Sequence, residues 1–99
     1  MHISPLLHAR IADICRRYHV RRMQMFGSAA VDQERPDSDV DLLIEFIPGE
    51  APSGFGLVNM QDELSTAFGG RRIDMAFPSV LDNPYRRRAI EPQLRALYQ

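Results

Sequence analysis

The chain has 99 residues, enough for one domain with one modest core, and its 25% charged and 44% hydrophobic residues are an ordinary globular balance. A formal net charge of −1 gives no argument for a general polyanion binder, and the basic side chains are arginine or histidine without a single lysine, which excludes P-loop lysine chemistry. One cysteine, Cys15, excludes a disulfide framework and a thiolate metal cluster. There is no signal peptide and no apolar run long enough to span a bilayer, so the cytoplasm is the expected setting.

In chain order, Ser4-Pro5 predicts a helix start, with Ser as N-cap and Pro at the first helical position. Leu7, Ile11, Ile14, Cys15 and Tyr18 follow at helical spacing, and Arg16, Arg17 and His19 fall near the end, where the helix dipole favours cations. Cys15 reads as a buried apolar residue of that stripe rather than a nucleophile. Val20 to Phe26 predicts a strand with Met23 and Met25 on one face. Gly27-Ser28-Ala29-Ala30 predicts a tight turn opening a short helix, and Asp32 to Ser38, with Pro36, a polar loop.

Asp39 to Ile47 is the clearest strand. Val40, Leu42, Ile44 and Phe46 alternate on one face; Asp39, Asp41, Leu43 and Glu45 point to the other. Pro48-Gly49 ends it, and Glu50 to Gly56 is expected to be a mobile loop. Leu57, Met60, Leu64, Ala67 and Phe68 mark a second helix, stopped by Gly69-Gly70. Arg72 to Phe77 is expected to be a third strand, with Asp74 on its polar face. Asn83-Pro84 starts a last helical region carrying Ile90, Leu94 and Leu97, which Pro92 should kink or split. The expected fold is a single α/β (α+β) domain over residues 1–99, a small mixed β-sheet with helices on one face.

Asp39 and Asp41 stand two apart on one strand, so their carboxylates leave the same face from α-carbons roughly 6.6 Å apart. If the strand of Asp74 pairs with theirs, three carboxylates meet. Two like charges about 4 Å apart repel by about 4 kcal/mol at an effective dielectric of ~20, so such a cluster takes up a proton or a divalent cation. Oxygen ligands with open positions suit Mg²⁺ or Mn²⁺, which complete their shell with substrate phosphates. Taken singly, Asp39 also fits a turn cap, Asp41 an exposed strand residue, and Asp74 a partner of Arg71 or Arg72. The Gly27-Ser28 turn changes the balance: glycine lets a phosphate approach the backbone, and the Ser28 N–H and hydroxyl are donors.

Phe26-Gly27-Ser28, ten intervening residues and Asp39-Val40-Asp41 resemble the Gly-Ser-x10-Asp-x-Asp signature of the DNA polymerase β-like nucleotidyltransferase superfamily. Arg72-Ile73-Asp74-Met75 matches the place of its third carboxylate. The resemblance covers nearly the whole chain, through Asn83-Pro84-Tyr85-Arg86-Arg87-Arg88, and is strongest to minimal nucleotidyltransferases of the MntA-type antitoxins encoded with HEPN-domain toxins. It implies a polymerase β palm-like fold in which Asp39 and Asp41 bind both metal ions, while Asp74 binds the one near the attacking hydroxyl. Gly27 and Ser28 would hold the β/γ phosphates. The implied reaction moves AMP from ATP to a tyrosine of the partner toxin and releases pyrophosphate. Two alternatives stay open: an antitoxin that neutralises its partner by contact, and transfer to a small molecule such as an aminoglycoside.

Arg35, in the loop before Asp39, could also reach phosphate. Arg21-Arg22, Arg71-Arg72 and Arg86 to Arg88 read either as solvated surface or as triphosphate and partner contacts. No aromatic pattern is interleaved with them, so RNA contact is the weaker alternative. His2, His8 and His19 lack ligand spacing.

Overall fold

A computed structural model describes residues 1–99. Helix α1 spans Pro5–Arg17, and Ser4 caps it: its Oγ accepts from the Leu7 N–H at 3.1 Å, with Pro5 in the first turn. The chain reverses through His19, in the left-handed region at φ 60°, into strand β1, Val20–Phe26. Strand β2 is Val40–Phe46. Helix α2 is Gly54–Ala67, and strand β3 is Ile73–Ala76. A 3₁₀ turn (Pro78–Asp82) leads to the short helix α3, Pro84–Ile90. A second 3₁₀ turn (Glu91–Gln93) then leads to strand β4, Arg95–Tyr98.

The four strands form one mixed sheet in the order β3-β2-β1-β4. β1 runs antiparallel to β2 and to β4; β2 and β3 are parallel, a pairing that needs a crossover, which α2 supplies. Ile11, Ile14 and Cys15 of α1 and Met60 and Leu64 of α2 pack with Met23, Met25, Val40, Leu42, Ile44 and Ile73 in one apolar cluster. The two longer helices thus share one face of the sheet, as the sequence leads one to expect, and no charged or polar residue is buried. Leu43 and Ile90 are buried outside this cluster. Leu43, facing away from the core, instead lines a shallow cleft with Leu81 and Leu94 of the C-terminal segment.

Three local expectations are corrected. Gly27-Ser28-Ala29-Ala30 opens no helix: Gly27 to Asp32 is a run of turns closed by Ala30 N–H to Gly27 O (3.1 Å), Val31 N–H to Ser28 O (3.3 Å) and Gln33 N–H to Ser28 O (2.9 Å). A helix nucleus fixes several dihedrals for one hydrogen bond, and a left-handed Asp32 (φ 57°) follows too soon for propagation to repay it. The supposed loop of Glu50 to Gly56 holds a helix start, because Ser53 caps α2 by accepting from the Gly56 N–H at 3.4 Å. The last helical region does not run on to Leu97: it is split, as Pro92 led one to expect, and α3 ends at Ile90. Pro92 cannot continue the ladder, and the residues after it form an edge strand on β1.

Candidate active site

Parallel pairing sets Asp41 of β2 directly opposite Asp74 of β3. Side chains level across a ladder project to the same face, so the two carboxylates stand side by side. On the other side of β2, Phe26, the last residue of β1, lies opposite Asp41, and the chain then bends at Gly27. That bend has φ +75°, and a Cβ built on Gly27 would collide with Asp41 Oδ2. Only glycine tolerates both the left-handed backbone and the close approach. Asp39 lies one residue before β2, ahead of Val40, whose N–H donates to Arg72 O at 2.9 Å.

Electrostatics record the crowding. Burial pushes the Asp41 carboxyl up to about 6, reinforced by the Asp74 charge, a hydrogen bond with Asp74 and the charge of Asp39. Asp41 is half-buried, whereas Asp74 is exposed. The three carboxylates do not close on one point: no group of three His, Cys, Asp or Glu side chains is arranged to hold an ion unaided. Asp41 and Asp74 are the close pair, and Asp39 is the more distant contributor of charge. An all-oxygen pair that resists double ionisation, with a further carboxylate nearby, fits a hard divalent cation that completes its shell with other oxygens.

The residues singled out in the sequence are thus not all gathered. Gly27, Ser28, Asp41 and Asp74 meet at one pole of the sheet, with Asp39 at its margin. Arg35 stays on the surface, in a turn where its N–H donates to Ser38 Oγ at 2.8 Å and its carbonyl accepts from Ser38 N–H at 3.0 Å. One residue at this pole had no signal in the sequence: Gln93, whose Oε1 accepts from the Gly27 N–H at 3.1 Å across 66 residues of chain.

A comparison with protein families decides the assignment. The nucleotidyltransferase domain family matches residues 8–97. The chain belongs to that family. This nucleotidyltransferase, an enzyme that transfers nucleotides, is 32% identical over 92 residues to MJ0128 of Methanocaldococcus jannaschii, named as a candidate protein adenylyltransferase; the match covers 93% of this chain and 91% of the relative. It is 33% identical over 79 residues to the protein adenylyltransferase MntA of Thermococcus cleftensis, covering 80% of this chain and 77% of the relative. Among solved structures, a toxin–antitoxin structure with AMP-PNP superposes with a TM-score of 0.67 at 15% identity, over 92% of this chain and 72% of that one, a likeness of fold alone.

Proposed function

We propose that this nucleotidyltransferase moves AMP from ATP to a hydroxyl of a protein acceptor, a tyrosine on a HEPN-type toxin, and so serves as the antitoxin of a pair. The observation that carries the reading is the register of β2 on β3, which sets Asp41 beside Asp74 next to the Gly27 bend. The relatives named for protein adenylylation span most of this chain, which supports a protein acceptor. The partner class follows from the likeness of the Gly27-Ser28 and Asp39-Val40-Asp41 motifs to MntA-type antitoxins, among which a 33% identical relative is named. Use of ATP fits a cytoplasmic setting, and no helix is long and apolar enough to cross a membrane.

Asp39, Asp41 and Asp74 would hold the divalent ions, and those ions would supply charge stabilisation and alignment for in-line displacement. The chain's own groups do the rest. The Gly27-Ser28 turn gives the β and γ phosphates a surface they can approach closely, with the Ser28 N–H and hydroxyl as donors. Arg35, whose side chain is exposed in the loop before Asp39, would offer a guanidinium to the triphosphate. Asp74 is exposed and accepts the proton of the incoming hydroxyl. The acceptor oxygen forms a bond to the α-phosphorus while the bond to the bridging oxygen breaks, and pyrophosphate leaves with that electron pair. Asp41, held at about 6, is mostly ionised at pH 7.5 and available as a ligand.

The test is incubation with ATP, Mg²⁺ or Mn²⁺ and a HEPN-type protein as the candidate partner, read by intact-mass spectrometry. One AMP added to the partner, abolished by Asp39→Asn with Asp41→Asn, is the expected result. If that double variant still neutralises the partner, neutralisation is by contact and the catalytic reading falls.

A further inference from the structure

We propose that Gln93 is a positioning residue of the nucleotide site, holding the Gly27 bend in the shape that receives the triphosphate. The inference rests on the nucleotidyl-transfer reading above and adds a residue that the Gly-Ser and Asp-x-Asp motifs do not contain.

The register of β4 places Gln93. Arg95 lies opposite Met25 in an antiparallel pair, so stepping two residues back along one strand and two forward along the other brings Gln93 level with Gly27. No backbone ladder bond forms there, because the chain on one side is bending at φ +75° and on the other is closing a 3₁₀ turn, with Leu94 N–H donating to Glu91 O at 3.3 Å. The Gly27 N–H therefore leaves the sheet without a main-chain partner, and Gln93 Oε1 takes that place at 3.1 Å. An amide donor at a half-buried bend is costly to leave unpaired, so this bond selects the orientation of the Phe26–Gly27 peptide.

That orientation matters because the bend is already in contact range of Asp41 Oδ2. Rotation of the peptide would either press the backbone into the carboxylate or draw it away and turn the Ser28 donors from the cluster. Pro92 contributes by stopping the α-helical ladder after α3, so that the 3₁₀ turn Glu91–Gln93 carries Gln93 to the sheet edge just ahead of β4. Gln93 acts through Gly27 rather than by touching the reacting atoms. Its neutral carboxamide suits the place: it supplies an acceptor without adding a fourth negative charge beside Asp39, Asp41 and Asp74.

The experiment uses the full chain and a fluorescent ATP analogue, TNP-ATP, with Mg²⁺ or Mn²⁺. The dissociation constant and the exchange rate of the Gly27 amide, resolved by nitrogen-15 NMR, are measured in wild type, Gln93→Ala and Gln93→Met. The methionine variant keeps the length and fills the half-buried space without the acceptor, so a folded protein is available if alanine is not tolerated. Both variants are expected to exchange the Gly27 amide at least about tenfold faster and to bind the nucleotide about tenfold more weakly, the fold-change of one ordinary hydrogen bond. Unchanged exchange, or faster exchange with unchanged affinity, overturns the proposal. So does tighter binding, which would make Gln93 a competitor for the amide. Failure of wild type to bind the analogue with either ion removes the nucleotide reading itself, a result distinct from wild-type-like variants.

Discussion

If Asp41 is held out of its preferred protonation state for the sake of ion binding, neutralising it must stabilise the fold. Its carboxyl sits at about 6 instead of the ordinary 3.8, chiefly through burial and the neighbouring Asp74 charge. Full desolvation would make that difference worth about 3 kcal/mol, at about 1.4 kcal/mol for each pH unit. Asp41 is only half-buried, and solvent screening brings the figure to about 1 kcal/mol. The direction comes from proton linkage. Between about pH 4 and pH 6 the folded chain keeps a proton that the unfolded chain has released, so stability falls as pH rises through that window and stays lower above it. Asn at this position does not titrate and nearly conserves shape against Gly27. Asp41→Asn is therefore expected to melt about 4–8 °C higher than wild type at pH 8 without divalent ions, and at the same temperature at pH 4. Added Mg²⁺ or Mn²⁺ should raise the melting temperature of wild type and leave that of the variant unmoved, while nucleotide transfer by the variant is lost. Calorimetry at the two pH values, with and without ion, reads all of this. A variant no more stable than wild type at pH 8, or a difference that does not change with pH, would refute the reasoning.

Gly27→Ala should do the opposite. Its Cβ meets Asp41 Oδ2 and its backbone must hold φ +75°, so we expect a loss of about 1–3 kcal/mol in urea denaturation together with lost binding of TNP-ATP. Burial pushes the Cys15 thiol up to about 12, against a smaller opposing pull from Arg16. Labelling of native protein with a thiol reagent at pH 8 should therefore proceed no faster than global unfolding, and rapid stoichiometric labelling would show the α1 face to be open. Leu64→Ala, at a fully buried α2 position, should lower stability by about 2–5 kcal/mol, read from the same urea transitions.

The sheet interior and the two long helices were legible because each is written in a local code. Alternation through Val40, Leu42 and Ile44 fixes a face without reference to anything distant, and Ser4-Pro5 or Gly69-Gly70 fixes an end through the dihedral demands of a cap or a stop. The C-terminal strand was not legible for a specific reason. Leu94 and Leu97 stand three apart, a spacing that suits a helix, and nothing near them reveals that Met23, Gln24 and Met25 offer an open ladder. Pro92 marked the break but gave no sign of the strand beyond it. The short helix after Gly27 failed in the same way: Ala29 and Ala30 favour helix, yet propensity over so few residues is outweighed by the turn bonds to Gly27 O and Ser28 O.

The site divides along the same line. The acidic ligands proposed for a divalent ion must be several and close, so they leave a dense pattern such as Asp39-Val40-Asp41, and Asp74 is proposed by asking which other strand has a carboxylate on its polar face. The support that holds the bend beside them carries no such requirement. One neutral acceptor is enough, it can come from any segment that passes within reach, and the chain between Gly27 and Gln93 contributes nothing to recognising it. Only the antiparallel register of β4 makes the pairing necessary, and that register is a tertiary fact. A related chain could therefore keep the Gly-Ser and Asp-x-Asp signature while drawing the support from another residue in the turn that leads into the C-terminal strand. The place to look for the equivalent of Gln93 is the position level with the glycine, not a matching letter in the sequence.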